Sequence, residues 1–329
     1  MPSCSSPSGA GPPARPDSNC WPSPARPWKA PPSGGTLPHS GRPSRMPWPR
    51  NGSGLLHLQH LAFGATPALL RALPQHPRIA LVHGTDLLFA ERHRDQLRVL
   101  RETARLADAI VAPTTAMADH LIRLAPQTDQ RKIHHIPWGI PDHLLDRPPT
   151  PPRRTTASHL RLLYAGRLTA EKGGHTLIKA LAAAKGIELS IAAPSAEFHA
   201  LSPLMRRAGI HARYLGWLRR PQLWKAFAEH DALVMPSTTL EAMGLVALEA
   251  QACGLPVLYQ PVPGLREALG GSALATAFTN TTGLARDLDR LRTSPSLLAA
   301  LRNAGRANAA RYPLSNTAAA LTDLGKQLT

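Results

Sequence analysis

The stretch LLYAGRLTAEKGG, residues 162–174, holds the first residues whose types and spacing suit chemistry. An apolar run leads into Gly166 and Arg167, and Lys172 with Gly173 and Gly174 opens a predicted helix. Glycine lets a backbone approach an anion, and a helix N-terminus offers unpaired N–H groups. A guanidinium at Arg167 can grip a phosphate through two parallel bonds, while Lys172 adds a point charge one turn on. A plain strand-turn-helix with two solvated cations has the same residues, so alone they assign nothing.

The second stretch is VMPSTTLEAMGLVALEAQACGLPVL, residues 234–258. A predicted strand ends at Pro236-Ser237, a polar turn follows, and a helix carries Glu249 among Leu, Val, Ala and Cys. Glu241, seven residues before it in the intervening count, falls in the loop ahead of that helix, so both carboxylates can face one cleft. A carboxylate in an apolar helix must be paired or hydrogen-bonded. Ribose hydroxyls satisfy it, and so does an Arg of a neighbouring helix.

These residues need elements to hold them, and the chain supplies an alternating set. Strands are predicted at 55–60, 79–83, 109–112 and 133–137, with helices at 68–73, 88–106 and 115–124 between them. In the second helix Leu97, Leu100, Ala104 and Ala107 make one apolar stripe at helical spacing. Residues 146–158, DRPPTPPRRTTAS, read as a linker because proline blocks both helix and central strand. A second alternation follows. Its strands are predicted at 160–165, 187–192, 213–217, 232–236 and 256–260, with helices at 175–184, 221–229, 245–253 and 284–292 and two more between 296 and 328. Strand-helix alternation predicts parallel sheets covered by helices. ADAIVAPTTAMADHL at 107–121 resembles HDALVMPSTTLEAMG at 230–244, each reading as strand, proline, Ser/Thr-rich turn and helix. Two doubly wound domains facing a cleft fit this pattern, with ligand at the strand C-terminal ends.

Composition bounds the rest. Of 329 residues 43% are hydrophobic, yet there are 34 prolines, 5% aromatics and a formal charge of +17. Residues 1–50 hold 14 of the prolines and nine serines, with no Ile, Val or Phe and one Leu, so this leader is expected not to fold or to be mistranslated. Cys4, Cys20 and Cys253 make neither a disulfide framework nor a zinc-ligand spacing, which suits a reducing compartment. The start MPSCSSPSGA lacks the basic and apolar regions of a secretory signal, and no window gives a membrane span. Basic charge alone suits nucleic acid, anionic lipid or phosphate ligands, but no nucleic-acid-binding signature accompanies it.

Taken together, Gly166-Arg167-Leu168, Glu171-Lys172-Gly173, Glu241, Glu249-Ala250 and Gly254-Leu255-Pro256-Val257 resemble the C-terminal half of retaining GT-B glycosyltransferases, specifically glycosyltransferase family 4. The segments ALVHGTD, LADAIVAPTTAMADHL and KIHHIPWGIP follow that family's order in the first half, and NAGRANAARYPLSNTAAALTDL resembles its closing helices. The resemblance implies an α/β GT-B fold: an acceptor-side domain at 51–145, the linker at 146–158, and a donor domain with closing helices at 159–329. It implies transfer of a sugar from a nucleotide diphosphate-sugar with retention, with no cofactor and no metal. Arg167 and Lys172 would hold the diphosphate, with Gly166 and Ser237 beside them. Glu241 and the amides of Met243, Gly244 and Leu245 would contact sugar and phosphate, Glu249 the ribose, and His83 the donor sugar. His57, Gln59 and His60 would line the acceptor side, or simply end a strand. The acceptor is open among a small molecule, a glycan and a lipid-linked compound. A cytoplasmic location is expected, with peripheral contact at the membrane inner face left open. Two departures stand out: Glu241-Ala242-Met243-Gly244 for the family's Glu-Gly-Phe-Gly, and Ile136-Pro137-Trp138-Gly139 for Ile-Pro-Asn-Gly. The family's first strand and glycine-rich loop have no counterpart in residues 1–50, so the N-terminal domain reads as truncated. Three other readings are a catalytically impaired fragment, a sugar-nucleotide epimerase and a basic nucleic-acid-binding protein.

Overall fold

The computed structural model describes residues 54–63, 65–149 and 159–329. The leader and most of the linker lie outside them. The first domain runs β1 (Leu56–Leu58), α1 (Thr66–Ala72), β2 (Arg78–Leu81), α2 (Gly84–Arg92), α3 (Arg94–Leu106), β3 (Ala109–Ala112), α4 (Thr115–Leu124), β4 (Ile133–His135) and α5 (Asp142–Asp146). Its strands are parallel in the order β1-β2-β3-β4.

The second domain begins with β5 (Leu160–Ala165), α6 (Gly174–Leu181), β6 (Ile187–Ala192), α7 (Ser195–Arg207), β7 (Ala212–Tyr214) and α8 (Arg220–Glu229). It continues with β8 (Ala232–Met235), α9 (Leu245–Ala252), β9 (Val257–Tyr259), α10 (Pro263–Leu269), β10 (Leu274–Ala275), α11 (Thr281–Thr293) and α12 (Pro295–Ala309). The last element is α13 (Leu314–Leu328). The second sheet is parallel in the order β10-β9-β8-β5-β6-β7. The order reverses direction between β5 and β8, which leaves a crevice at their C-terminal ends.

Both sheets are buried on two faces, which explains why their strands read as unbroken apolar runs. In β5, Leu163 and Ala165 enter one core while Leu160, Leu162 and Tyr164 enter the other. In β2 and β3, Ala80, Ile110 and Ala112 face one core, and Ile79, Leu81, Ala109 and Val111 face the opposite one.

That last core is closed by Leu321, Leu324 and Leu328 of α13. The expectation that all closing helices serve the second domain is corrected here for α13, which packs on the first sheet. The chain therefore crosses between domains twice, and the crossings are tied together. Ile140 N–H donates to Tyr312 O and Leu314 N–H to Ile140 O, each at 2.8 Å.

Three local expectations also change. The single helix expected at 88–106 is two, because His93 is extended (φ −133°, ψ 106°) between α2 and α3. Helix α7, which carries Pro203 in its interior, was not expected, nor was α10. The internal resemblance holds through strand and turn only: α4 starts at once after Thr114, whereas loop 236–244 precedes α9. No helix among the described residues is long and apolar enough to cross a membrane.

Candidate active site

A cavity of about 590 Å³ opens at the reversal point of the second sheet and faces the first domain. The end of β5 contributes Ala165, Gly166 and Arg167, and the end of β8 contributes Met235, Pro236 and Ser237. Loop 236–244 then carries Glu241, Ala242, Met243 and Gly244 along its floor, and Leu245 and Val246 begin α9 there. The first amides of a helix have no partner within it, so this end of α9 presents N–H groups and a positive dipole. No side chain caps that end.

Arg167 lines the cavity, and among the described residues its guanidinium has no hydrogen-bond or ion-pair partner. Lys172 Nζ instead lies 2.5 Å from Glu241 Oε2, and Ser237 Oγ donates to the same oxygen at 3.1 Å. This triangle fixes the loop carboxylate against the turn before α6. The Tyr164 hydroxyl donates to the Arg167 carbonyl, and burial pushes its phenol far above the usual range, so it stays protonated.

The glycines of this turn differ in their reasons. At Gly166 (φ 147°) an added Cβ would meet nothing closer than the Tyr164 hydroxyl at 3.9 Å, so the backbone is open there. At Gly173 (φ 73°) a Cβ would lie 2.0 Å from the Pro236 carbonyl oxygen, so strand-to-helix packing requires glycine. The backbone at Gly166 is therefore open to the cavity, whereas that at Gly173 is closed off by packing.

The opposite wall comes from the first domain. His83, at the end of β2, caps α2 from an extended conformation, and Asp86 closes the cap by accepting from the His83 amide at 3.0 Å. Asp86 is 0% exposed and also accepts from the amides of Leu61 at 2.9 Å and Leu87 at 3.1 Å. Burial pushes its carboxyl up to about 7, against the downward pull of those amides. Burial first, and the nearby His60 second, hold His83 down at about 4, so it is neutral at physiological pH. The His60 ring lies 5.0 Å from that of His83, tilted by 56°, and its pKa is itself lowered by burial. Trp138 stacks on His83 at 5.7 Å, and its amide donates to Met243 Sδ at 3.0 Å across the cleft.

Two carboxylates link the domains at either side. Arg92 meets Glu171 at 2.7 Å, and this pair holds the Glu171 carboxyl below its ordinary range. Glu267 of α10 accepts from the amides of Thr115 at 2.8 Å and Ala116 at 3.1 Å. It supplies the acidic residue that the first turn of α4 lacks.

Of the residues singled out from sequence, His83, Gly166, Arg167, Lys172, Ser237, Glu241, Met243, Gly244 and Leu245 line this one cavity. Glu249 does not. It is 3% exposed, and its oxygens are taken by Trp224 Nε1–H at 2.6 Å and Arg220 Nε at 3.3 Å. The Arg-pairing alternative is therefore met, with a tryptophan added. His57 and Gln59 are exposed on and beside β1, outside the lining, and His60 is also outside it, touching the site only through its tilted ring contact with His83. Sequence reasoning missed Phe89, Arg92 and His93 as wall residues, because helix packing rather than local spacing brings them there, and it missed Tyr164, which reads as one more apolar residue of β5. No group of three or more His, Cys, Asp or Glu among the described residues has the placement to hold a metal ion.

Comparison with known proteins identifies the fold and the family. The sequence model of the family described as glycosyl transferases group 1 matches residues 155–308, and that of glycosyltransferase family 4 matches residues 4–144. A D-inositol 3-phosphate glycosyltransferase of Xylanimonas cellulosilytica is 32% identical over 265 residues, 71% of this chain and 61% of that protein. The chain spans about three fifths of the length of the curated relatives it matches. Sucrose-phosphate synthase of Thermosynechococcus elongatus superposes with a TM-score of 0.73 at 22% identity, covering 83% of this chain and 73% of that one. HepE of Anabaena, solved in complex with UDP-glucose, gives 0.68 at 19% identity over 80% of this chain and 75% of its own. The fold is GT-B, two doubly wound domains about one cleft, and the chain belongs to the glycosyltransferases of the family 4 kind.

Proposed function

We propose that this chain moves a sugar from a nucleotide diphosphate-sugar to an acceptor hydroxyl, with retention of configuration. The observation that carries the reading is the unpaired Arg167 guanidinium beside the Lys172–Glu241 pair, at the sheet's reversal point and opposite the open end of α9. Transfer builds negative charge on the departing diphosphate, and preorganised cations and amides stabilise it without reorganisation. Arg167 grips the diphosphate through two bonds and Lys172 supplies a second positive charge. The amides at the start of α9 face the phosphate or the sugar. In this scheme those groups supply the charge that a divalent ion would otherwise bring.

The acceptor oxygen bonds to the anomeric carbon as the bond from that carbon to the phosphate oxygen breaks. The electron pair goes to the diphosphate, and the acceptor proton passes to a phosphate oxygen on the same face. No protein side chain need become covalently attached. Glu241, held by Lys172 and Ser237, accepts from the transferred sugar's hydroxyls. His83, uncharged in its buried position, orders the sugar without adding a positive charge beside a developing oxocarbenium.

Nucleotide protection tests the reading. A nucleoside diphosphate at 100 times its Kd stabilises a protein by about 2.7 kcal/mol. The purified chain should melt several degrees higher with a nucleoside diphosphate and not with an oligonucleotide. Protection by the oligonucleotide alone would reverse the assignment. Product analysis with a labelled donor separates transfer from epimerisation.

A further inference from the structure

The two walls of the cavity differ in kind. The second domain offers Arg167, Lys172, Ser237, Glu241 and helix amides. The first domain offers His83, Thr85, Leu88, Phe89, Arg92, His93 and, nearer the hinge, Trp138. Among the described residues, no Asp, Glu, Asn or Gln of the first domain lines the cavity. Arg92 is already committed to Glu171.

Phe89 is 40% exposed, one of three large hydrophobic side chains so exposed among the described residues, and it lines the cavity. Its ring is held in place by His93 stacked at 4.1 Å and Phe63 edge-on at 5.7 Å. Further along, His60, His83 and Trp138 extend the aromatic surface inward. An apolar ring left open in a cavity is a ligand surface rather than a core.

From this we infer the class of acceptor, resting on the transferase reading above. Each hydroxyl of a desolvated polyol brings a donor that needs an acceptor, and leaving one unmet costs most of its binding. This wall provides a flat apolar face and few acceptors. It fits a compound with one reacting hydroxyl on an apolar ring, an aryl alcohol, whose ring lies against Phe89 while its hydroxyl points to the donor sugar.

The test is calorimetric titration of the full chain with 2-naphthol and, separately, with methyl α-glucoside. The account expects saturable binding of naphthol and none of the glucoside. Phe89→Ala should weaken naphthol about tenfold, the effect of losing roughly one stacking contact. Phe89→Trp keeps a flat ring and should keep the affinity, which separates ring loss from misfolding. Naphthol binding that is absent or unmoved by Phe89→Ala overturns the inference, as does Phe89-dependent binding of the glucoside. Thermal protection by UDP is scored in parallel. UDP protection without naphthol binding sinks the acceptor class alone, and Phe89-dependent naphthol binding without nucleotide protection sinks the donor reading alone.

Discussion

Gly264, at the start of α10, offers a sharp test of how the site loop is held. A Cβ built there would lie 1.6 Å from the Glu241 carbonyl oxygen and 2.8 Å from that of Ala242. Carbon and carbonyl oxygen settle at roughly 3.3–3.6 Å, so Gly264→Ala requires a relative movement of about 1.7 Å. Neither partner is a flexible side-chain end. The loop backbone is tied through Glu241 to Lys172 and Ser237, and α10 is anchored by the buried Leu265 and Leu269. Overpacking of this kind costs about 1–3 kcal/mol. For a domain pair of this size that is a fall in Tm of roughly 2–12 °C. A catalytic group displaced by about 1 Å loses on the order of a hundredfold in rate. Thermal unfolding and release of nucleoside diphosphate from a nucleotide-sugar, measured on one preparation, read both consequences. Gly271→Ala is the control, because a Cβ there meets nothing within 4 Å. If Gly264→Ala melts and turns over like the Gly271 variant, the packing argument is wrong.

The remaining expectations are more local. Arg167→Ala removes a guanidinium without a protein partner, so the free protein's Tm should hold while nucleoside-diphosphate affinity falls by about 1.5–3 kcal/mol in titration calorimetry. Trp224→Phe deprives the buried Glu249 of a 2.6 Å donor and should lower the denaturant midpoint by about 2 kcal/mol worth of stability. Arg92→Ala breaks an ion pair whose side chains are 56% and 31% exposed, so it should cost less than about 1 kcal/mol, an effect that salt would abolish. For pH the signs oppose. His83, depressed to about 4 from 6.5, contributes stability above 6.5 that is lost as pH falls through the folded value. Asp86, raised to about 7 from 3.8, contributes stability at low pH that is lost as pH rises toward 7. Asp86→Asn removes the offsetting group, so its Tm should drop more steeply than wild type on acidification from about 6.5 toward 4. Parallel Tm curves for the two proteins would count against this.

What the sequence made legible was what neighbouring residues decide. Gly166, Arg167 and Lys172 sit on one strand-turn-helix, and Ser237, Glu241 and Gly244 on one loop, so their spacing alone places them together once the two strands adjoin. Buried parallel strands announced themselves through unbroken apolar runs. Helix α7 did not, because Pro203 interrupts the pattern that would mark it. The break at His93 was equally hidden, since the apolar stripe that marked the helix lies wholly beyond it and no glycine or proline signals the bend. The aromatic wall was the least legible part: Phe89 and Trp138 reach the cavity through packing of α2 and the interdomain crossing, which no local period encodes. Glu249 shows the converse, an odd residue correctly noticed whose partners, Trp224 and Arg220, come from a helix 20 to 29 positions earlier.

The most direct measurement is product analysis on the purified chain. A labelled nucleotide-sugar and an acceptor mixture that includes aryl alcohols would be incubated with it, and the products resolved by NMR. The account predicts nucleoside diphosphate and a glycoside released in equal amounts, with the donor's anomeric configuration kept and both abolished by Arg167→Ala. An epimerised nucleotide-sugar, an inverted glycoside, or turnover indifferent to Arg167 would contradict it.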